Sequence, residues 1–247
     1  MSFEPERALR ITPDMLIGRK IDFERRMRRF PPVTLGLIAV LVAIFAGEVT
    51  FDLLDSADGL LIAGALSRDA VLAGQWWRLV SAVFLHGGLE HLVGNVVALF
   101  ILGMVCEHAF GRVQFVWLFV VSGVAGSVVS MLTSPGPSVG ASGAIFGLQG
   151  AAMVLFRRYR ERLLVRDRRI GIVLIVWALF NIMQGVLSPF IDNGAHIGGL
   201  VAGAVLARGL HPVVLDPPSD DDRAAIRRKG WIAGVIVLAA ALARLLR

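Results

Sequence analysis

A single cysteine in 247 residues, Cys106, excludes an intrachain disulfide, and its position late in an apolar run marks it as a small core side chain. Charge is sparse within seven apolar runs, near 33–51, 91–106, 113–132, 142–156, 170–187, 194–207 and 231–243. No cleavable leader is expected, because many charged residues precede the first of these runs, which should therefore remain as a span. Internal repeats and low-complexity tracts are absent. His86, Glu90 and His91 lie close together, but no matching set of metal ligands occurs elsewhere, so neither a metal nor a cofactor is expected.

What is abundant is apolar residues, at 56% of the chain with a mean hydropathy of +0.71. Soluble globular chains hold about 45–50%, so the solvent for most of this chain is lipid. The expected fold class is all-α, a polytopic bundle of seven membrane helices without a separate soluble domain. Residues 1–32 read as a cytoplasmic N-terminal arm, 33–208 as six membrane helices, 209–230 as a cytoplasmic linker and 231–247 as a C-terminal transmembrane helix. Residues 52–90 form a long external segment, with Leu53, Leu60, Leu66, Trp76 and Trp77 among acids and glycines, suited to the membrane interface. Segment 133–139 contains two prolines and a glycine and cannot be helical.

A net charge of +6 could suggest nucleic acid, yet the basic residues follow topology. With the N-terminus in the cytoplasm, 21 of the 25 Lys and Arg fall inside, as the positive-inside rule requires. The expected partner is accordingly the lipid bilayer, with no nucleic acid. Nothing in the chain fixes an oligomeric state.

Polar groups inside spans are costly, and four stand out: His91 and Asn95 in the second span, Ser142 in the fourth and His196 in the sixth. All three spans run from outside to inside. Counted from their cytoplasmic ends at about 1.5 Å per residue, Ser142 stands at roughly 22 Å, His196 and Asn95 at roughly 18 Å and His91 at roughly 24 Å. In a hydrocarbon core of about 30 Å these positions form one layer beneath the outer surface. Gly143, Gly147 and Ala151 recur along one face of the fourth span, as Gly199 and Gly203 do in the sixth. Small residues at that spacing let membrane helices touch, which would bring Ser142 beside His196.

That pairing has a chemistry. A serine hydroxyl becomes a nucleophile when a neutral imidazole accepts its proton. Ser142 begins a helix, so its N–H is an unsatisfied donor able to face an oxyanion, with His91 and Asn95, one turn apart, as side-chain donors. Each residue alone has a plainer reading: Ser142 as a helix cap, His196 and Asn95 as interhelical hydrogen-bonding groups.

Taken together, the motifs resemble those of the rhomboid intramembrane serine proteases. Gly140-Ala141-Ser142-Gly143 is similar to the family's GxSG motif, and Gly194-Ala195-His196-Ile197-Gly198-Gly199-Leu200 to its histidine motif. His86, His91 and Asn95 resemble its second-helix signature, and Trp77-Arg78 its external-loop pair. The resemblance covers about 33–208. It implies a six-helix core over 33–208 with 231–247 as an additional helix, a Ser142–His196 dyad, oxyanion donors His91 and Asn95, and a structural role for Arg78. It further implies cleavage of single-span membrane proteins near the outer face, without cofactor. Substrate would pass between the second and fifth helices, with Trp177 and Phe180 as candidate gate residues. Phe146 stands where the family often has tyrosine, and Glu107 is followed by His108 where an arginine is common. Asp192 is a weak candidate for a third catalytic member. The expected compartment is a bacterial inner membrane. Two rival readings are a catalytically inactive rhomboid-like binding or trafficking module and a small transporter.

Overall fold

In hydrocarbon a backbone must satisfy its own hydrogen bonds, so apolar runs fold as helices and turns collect at their ends. The computed structural model describes residues 20–246 apart from 28–29, 55, 135 and 189–190. Most of the N-terminal arm, 1–19 and 28–29, therefore lies outside the described residues. Among those described, the regular elements are helices, joined by isolated bridges at Ile21–Leu163 and Leu66–Ser138.

Seven long helices are α1 (Pro32–Thr50), α5 (Leu89–Phe110), α6 (Arg112–Thr133), α7 (Ser142–Arg158), α8 (Val165–Leu187), α9 (Asn193–Leu206) and α10 (Asp220–Leu245). Three short ones, α2 (Ala57–Ala63), α3 (Arg68–Leu72) and α4 (Arg78–Ser81), fold the segment between α1 and α5. Among the described residues four helices are long and apolar enough to cross a membrane: α1, α5, α6 and the Asp167–Leu187 stretch of α8. The fold is a helical membrane bundle, as the composition requires.

α7 is its centre. Every residue from Gly143 to Ala152 is buried, and α5, α6, α8 and α9 all pack on it. The core joins Leu99 and Leu102 of α5, Phe115 and Phe119 of α6, and Leu148 and Phe156 of α7. α8 is different. Ile172, Val173, Val176, Leu179, Phe180 and Met183 are exposed, so most of its circumference is left for lipid. Its tie to the centre includes a hydrogen bond from the buried Gln149 side chain to the Leu174 carbonyl, 2.8 Å.

α1 buries one face, Thr34, Leu41, Phe45 and Glu48, whose two polar ends are each anchored. At one end Glu107 of α5 accepts hydrogen bonds from the Val33 and Thr34 amides, at 3.1 and 2.8 Å, and from the Thr34 hydroxyl at 2.8 Å. Glu107 thus satisfies orphan donors of the α1 first turn, which follows Pro31 and has no side-chain cap of its own.

Two helices begin earlier than the apolar runs predict. α8 starts at Val165 and α10 at Asp220, so the second half of the expected linker 209–230 is helical. The reason for α10 is local. Ser219 and Asp222 form a reciprocal capping box, and three aspartates occupy the first turn, where the helix dipole favours them. α10 packs on α6 and α4, away from α7. Between it, α1 and the segment leading to α5 lies a cavity of about 380 Å³, lined among others by Ile44, Glu48, Leu53, Trp77, Phe84 and Arg244.

Candidate functional site

Glycine makes the site possible by letting backbones touch. A Cβ at Gly199 would run into the Gly143 carbonyl, and one at Gly203 into the Gly147 carbonyl. A Cβ at Gly143 would stand 3.2 Å from the Ala195 carbonyl oxygen, and one at Gly126 of α6 2.8 Å from the same oxygen. The glycine faces of α7 and α9 therefore meet, as their spacing predicts, with α6 closing the third side. Ser142 is the first residue of α7 and His196 lies in the first turn of α9, so both sit at the same end of this contact.

His196 is buried, and its ring stacks on Phe146 at 4.2 Å between centroids and 11° between planes. The phenylalanine that departs from the family pattern keeps the stacking and lacks only the hydroxyl. His196 Nδ1 has no hydrogen-bond partner among the described residues. Asp192 does not supply one: it caps α9 through the Ala195 amide at 3.0 Å and accepts from Ser134 at 2.8 Å, Ser138 at 2.7 Å and Ser130. Burial works to raise the Asp192 carboxyl, and these hydrogen bonds outweigh it, holding the group below its ordinary range. Its observed work is to fasten α6, the 134–138 turn and α9 together.

On the other side of Ser142, Gly140 has a φ of 126°, a conformation side chains avoid, and the His91 ring fills the place of its missing Cβ. That Cβ would be 2.7 Å from two atoms of the ring and 3.7 Å from Asn95 Nδ2. The Gly140 amide is itself held by the Ala82 carbonyl at 2.9 Å. Asn95 donates to the His91 carbonyl at 3.0 Å, one turn back, which leaves its second amide proton for another acceptor. All four residues singled out in the sequence thus converge on the start of α7.

Arg78 lies elsewhere. It donates to the carbonyls of Leu61 at 2.7 Å and Ala65 at 2.8 Å and to Gln75 at 2.6 Å, tying α2 to α4. Its guanidinium covers the Trp77 ring at 4.7 Å, and Arg244 of α10 approaches the same ring at 5.6 Å. Trp177 is half-buried and Phe180 exposed, both on α8.

Two further buried residues lie near the site: Glu48, which carried no signal in the sequence, and His86, which belongs to the second-helix motif. Glu48 sits at the end of a span, where a charge reads as a boundary. His86 is fully buried, with its ring edge-on to His91 at 5.3 Å.

Known proteins resemble this chain over the segment that holds the site. The chain is 37% identical over 155 residues to Rhomboid protease GluP of Bacillus subtilis, which covers 63% of this chain and 30% of GluP. It is 43% identical over 147 residues to RHOMBOID-like protein 5 of Arabidopsis thaliana, 58% of this chain and 47% of that one. It therefore spans less than half the length of both relatives. YdcA of Bacillus subtilis is 32% identical over 197 residues, 76% of this chain and 93% of YdcA. The Rhomboid domain family matches residues 73–213, a segment that holds the start of α7, the His91 helix and the His196 helix together. On that match, and on a relative aligned over nearly its whole length, the chain belongs to the rhomboid family.

Proposed function

We propose that this protein is an intramembrane serine endopeptidase that cuts single-span membrane proteins near the outer face through an acyl-enzyme. The observation that carries the reading is the backbone contact of Gly143, which directly follows Ser142, with Ala195 and Gly199, which lie on either side of His196. The protease names of relatives such as GluP support it.

In this reading His196 accepts the Ser142 proton while Oγ bonds to the substrate carbonyl carbon. The oxyanion faces the Ser142 N–H, the His91 ring and the free proton of the Asn95 amide. Collapse breaks the C–N bond, and the leaving amine takes the proton from His196. Water, deprotonated by the same imidazole, then attacks the ester and releases Ser142. Among the described residues no acid bonds to His196 Nδ1, and Asp192 is engaged by three serines and an amide. Phe146 keeps the imidazole plane fixed in place of an acid. A membrane helix satisfies its own backbone, so substrates must unwind before attack, which favours glycine, proline or other helix-weak residues near the cut. The thinly packed α8, with Trp177 and Phe180, suits a movable flank for their approach.

The catalytic core is 33–208, set in a bacterial inner membrane with the N-terminus and the Arg157–Arg169 connector in the cytoplasm. The test is cleavage of a reporter with one membrane span, alongside labelling by a fluorophosphonate. Wild type is expected to cut and to label. Ser142→Ala and His196→Ala should lose cleavage by about 10⁴-fold or more, and Ser142→Ala should not label. Equal labelling of wild type and Ser142→Ala would overturn the reading, and labelling without cleavage of any spanning reporter would favour a module that only binds.

A further inference from the structure

The Glu48 carboxylate is 2% exposed and accepts the His86 amide with both oxygens, at 3.2 and 3.3 Å. His86 is the last residue before the Gly87-Gly88 pair that leads into α5. α5 has no side-chain cap: its N-cap is Gly88, with a φ of 152°. His91 is in the first turn of this uncapped helix, and its ring must press against Gly140 next to Ser142. Two contacts fix the approach to that turn, the Glu48 bond to the His86 amide and the edge-on packing of the His86 ring against His91. Glu48 is held in turn by α1, whose buried face ends on it, and its main-chain carbonyl accepts from the Leu53 amide at 2.9 Å.

We infer that Glu48 is a positioning residue for His91, acting through His86. α1 and α5 are then pinned at both ends by the same device with the roles exchanged. Glu107 of α5 holds amides of α1 at one end, and Glu48 of α1 holds the amide leading into α5 at the other. The first sets where α5 ends against α1, and the second sets where α5 begins against α7. A hydrogen bond between buried groups is suited to this, being short-ranged and costly to leave unmade. Replacing Glu48 with an apolar residue frees the His86 amide, lets the Gly87-Gly88 hinge shift, and moves the His91 ring relative to the oxygen it faces.

The inference rests on the protease reading, and the test separates the two. Turnover of the single-span reporter is measured on full-length protein in liposomes, with active sites counted by fluorophosphonate. Glu48→Leu should lower kcat about tenfold with KM nearly unchanged, since an ångström of misplacement is enough for such a loss. Glu48→Gln retains an oxygen acceptor and should keep kcat within about twofold of wild type. Glu48→Leu with His91→Ala should be no slower than His91→Ala alone, because both changes remove one function. If Glu48→Leu does not accumulate, Glu48→Asp withdraws the oxygens by a methylene at constant charge and should show the same loss and the same non-additivity. A merely structural role would give losses that multiply in the double variant, or a change in KM, or no rescue by Gln, and each of these would overturn the inference. Wild type that neither labels nor cuts would overturn the protease reading and this inference with it, whereas active wild type with multiplying losses would overturn this inference alone.

Discussion

At Gly199 and Gly203 the scale of decision is one methyl group. A Cβ at either runs into a carbonyl of α7, a backbone atom that cannot rotate away. Gly199→Ala should therefore cost about 1–3 kcal/mol of stability and most of the activity, read by thermal unfolding and reporter cleavage. Gly94, on the exposed face of α5 with nothing within 4 Å of its missing Cβ, is the internal control. Gly94→Ala should leave stability unchanged or raise it by about 0.5–1 kcal/mol. Phe146→Leu should keep the fold and lower kcat severalfold, because it removes the plane on which His196 stacks. Asp192 gives a pH dependence with a definite sign. Its folded-state pKa is depressed, so its stabilisation is complete above the ordinary carboxylate range and is lost as pH falls through the folded value. Thermal stability should therefore drop below about pH 4 in wild type, and less steeply in Asp192→Asn, which starts lower.

The helices themselves were legible to different degrees, for physical reasons. α1, α5, α6, α7 and α9 announce themselves as apolar runs because lipid leaves no alternative, and the runs end within a few residues of the observed helices. Seven of the first eleven residues of α10 are charged, and this stretch carries no such signal. What starts that helix is the Ser219–Asp222 capping box, a local pattern that an apolar scan passes over. The candidate site was legible where residue type and helix period suffice, at Ser142, His196, His91 and Asn95. Glu48 was not, because its partner is the main-chain amide of a residue 38 positions away, and amides have no identity in a sequence. Gln149 was hidden likewise by its bond to a carbonyl of α8. α10 also makes a prediction at this scale. Its Ala240 is buried against Trp77 and Val80, and Arg244 lies over the Trp77 ring. Arg244→Ala should speed hydrogen exchange of amides in α2 to α4 while leaving α5 and α6 unchanged, as followed by mass spectrometry.

As a whole, the molecule packs longer helices around one short helix, α7, with a second short one, α9, set against it. α5, α6 and α8 have 22, 22 and 23 residues, whereas α7 has 17 and α9 only 14. α9 is not fully enclosed: Ile197, Val201 and Val205 form an exposed apolar stripe one turn apart. At 1.5 Å per residue α9 is about 21 Å long, against a hydrocarbon core of about 30 Å. Lipid beside that stripe must thin or tilt to meet it, at a cost that grows with every ångström of mismatch. A bilayer that meets this stripe would be deformed on the side of the molecule that holds His196. On the proposed protease reading, reporter cleavage in vesicles of rising acyl-chain length should therefore fall as the membrane thickens, so that membrane thickness, which no residue of the chain encodes, would set the rate.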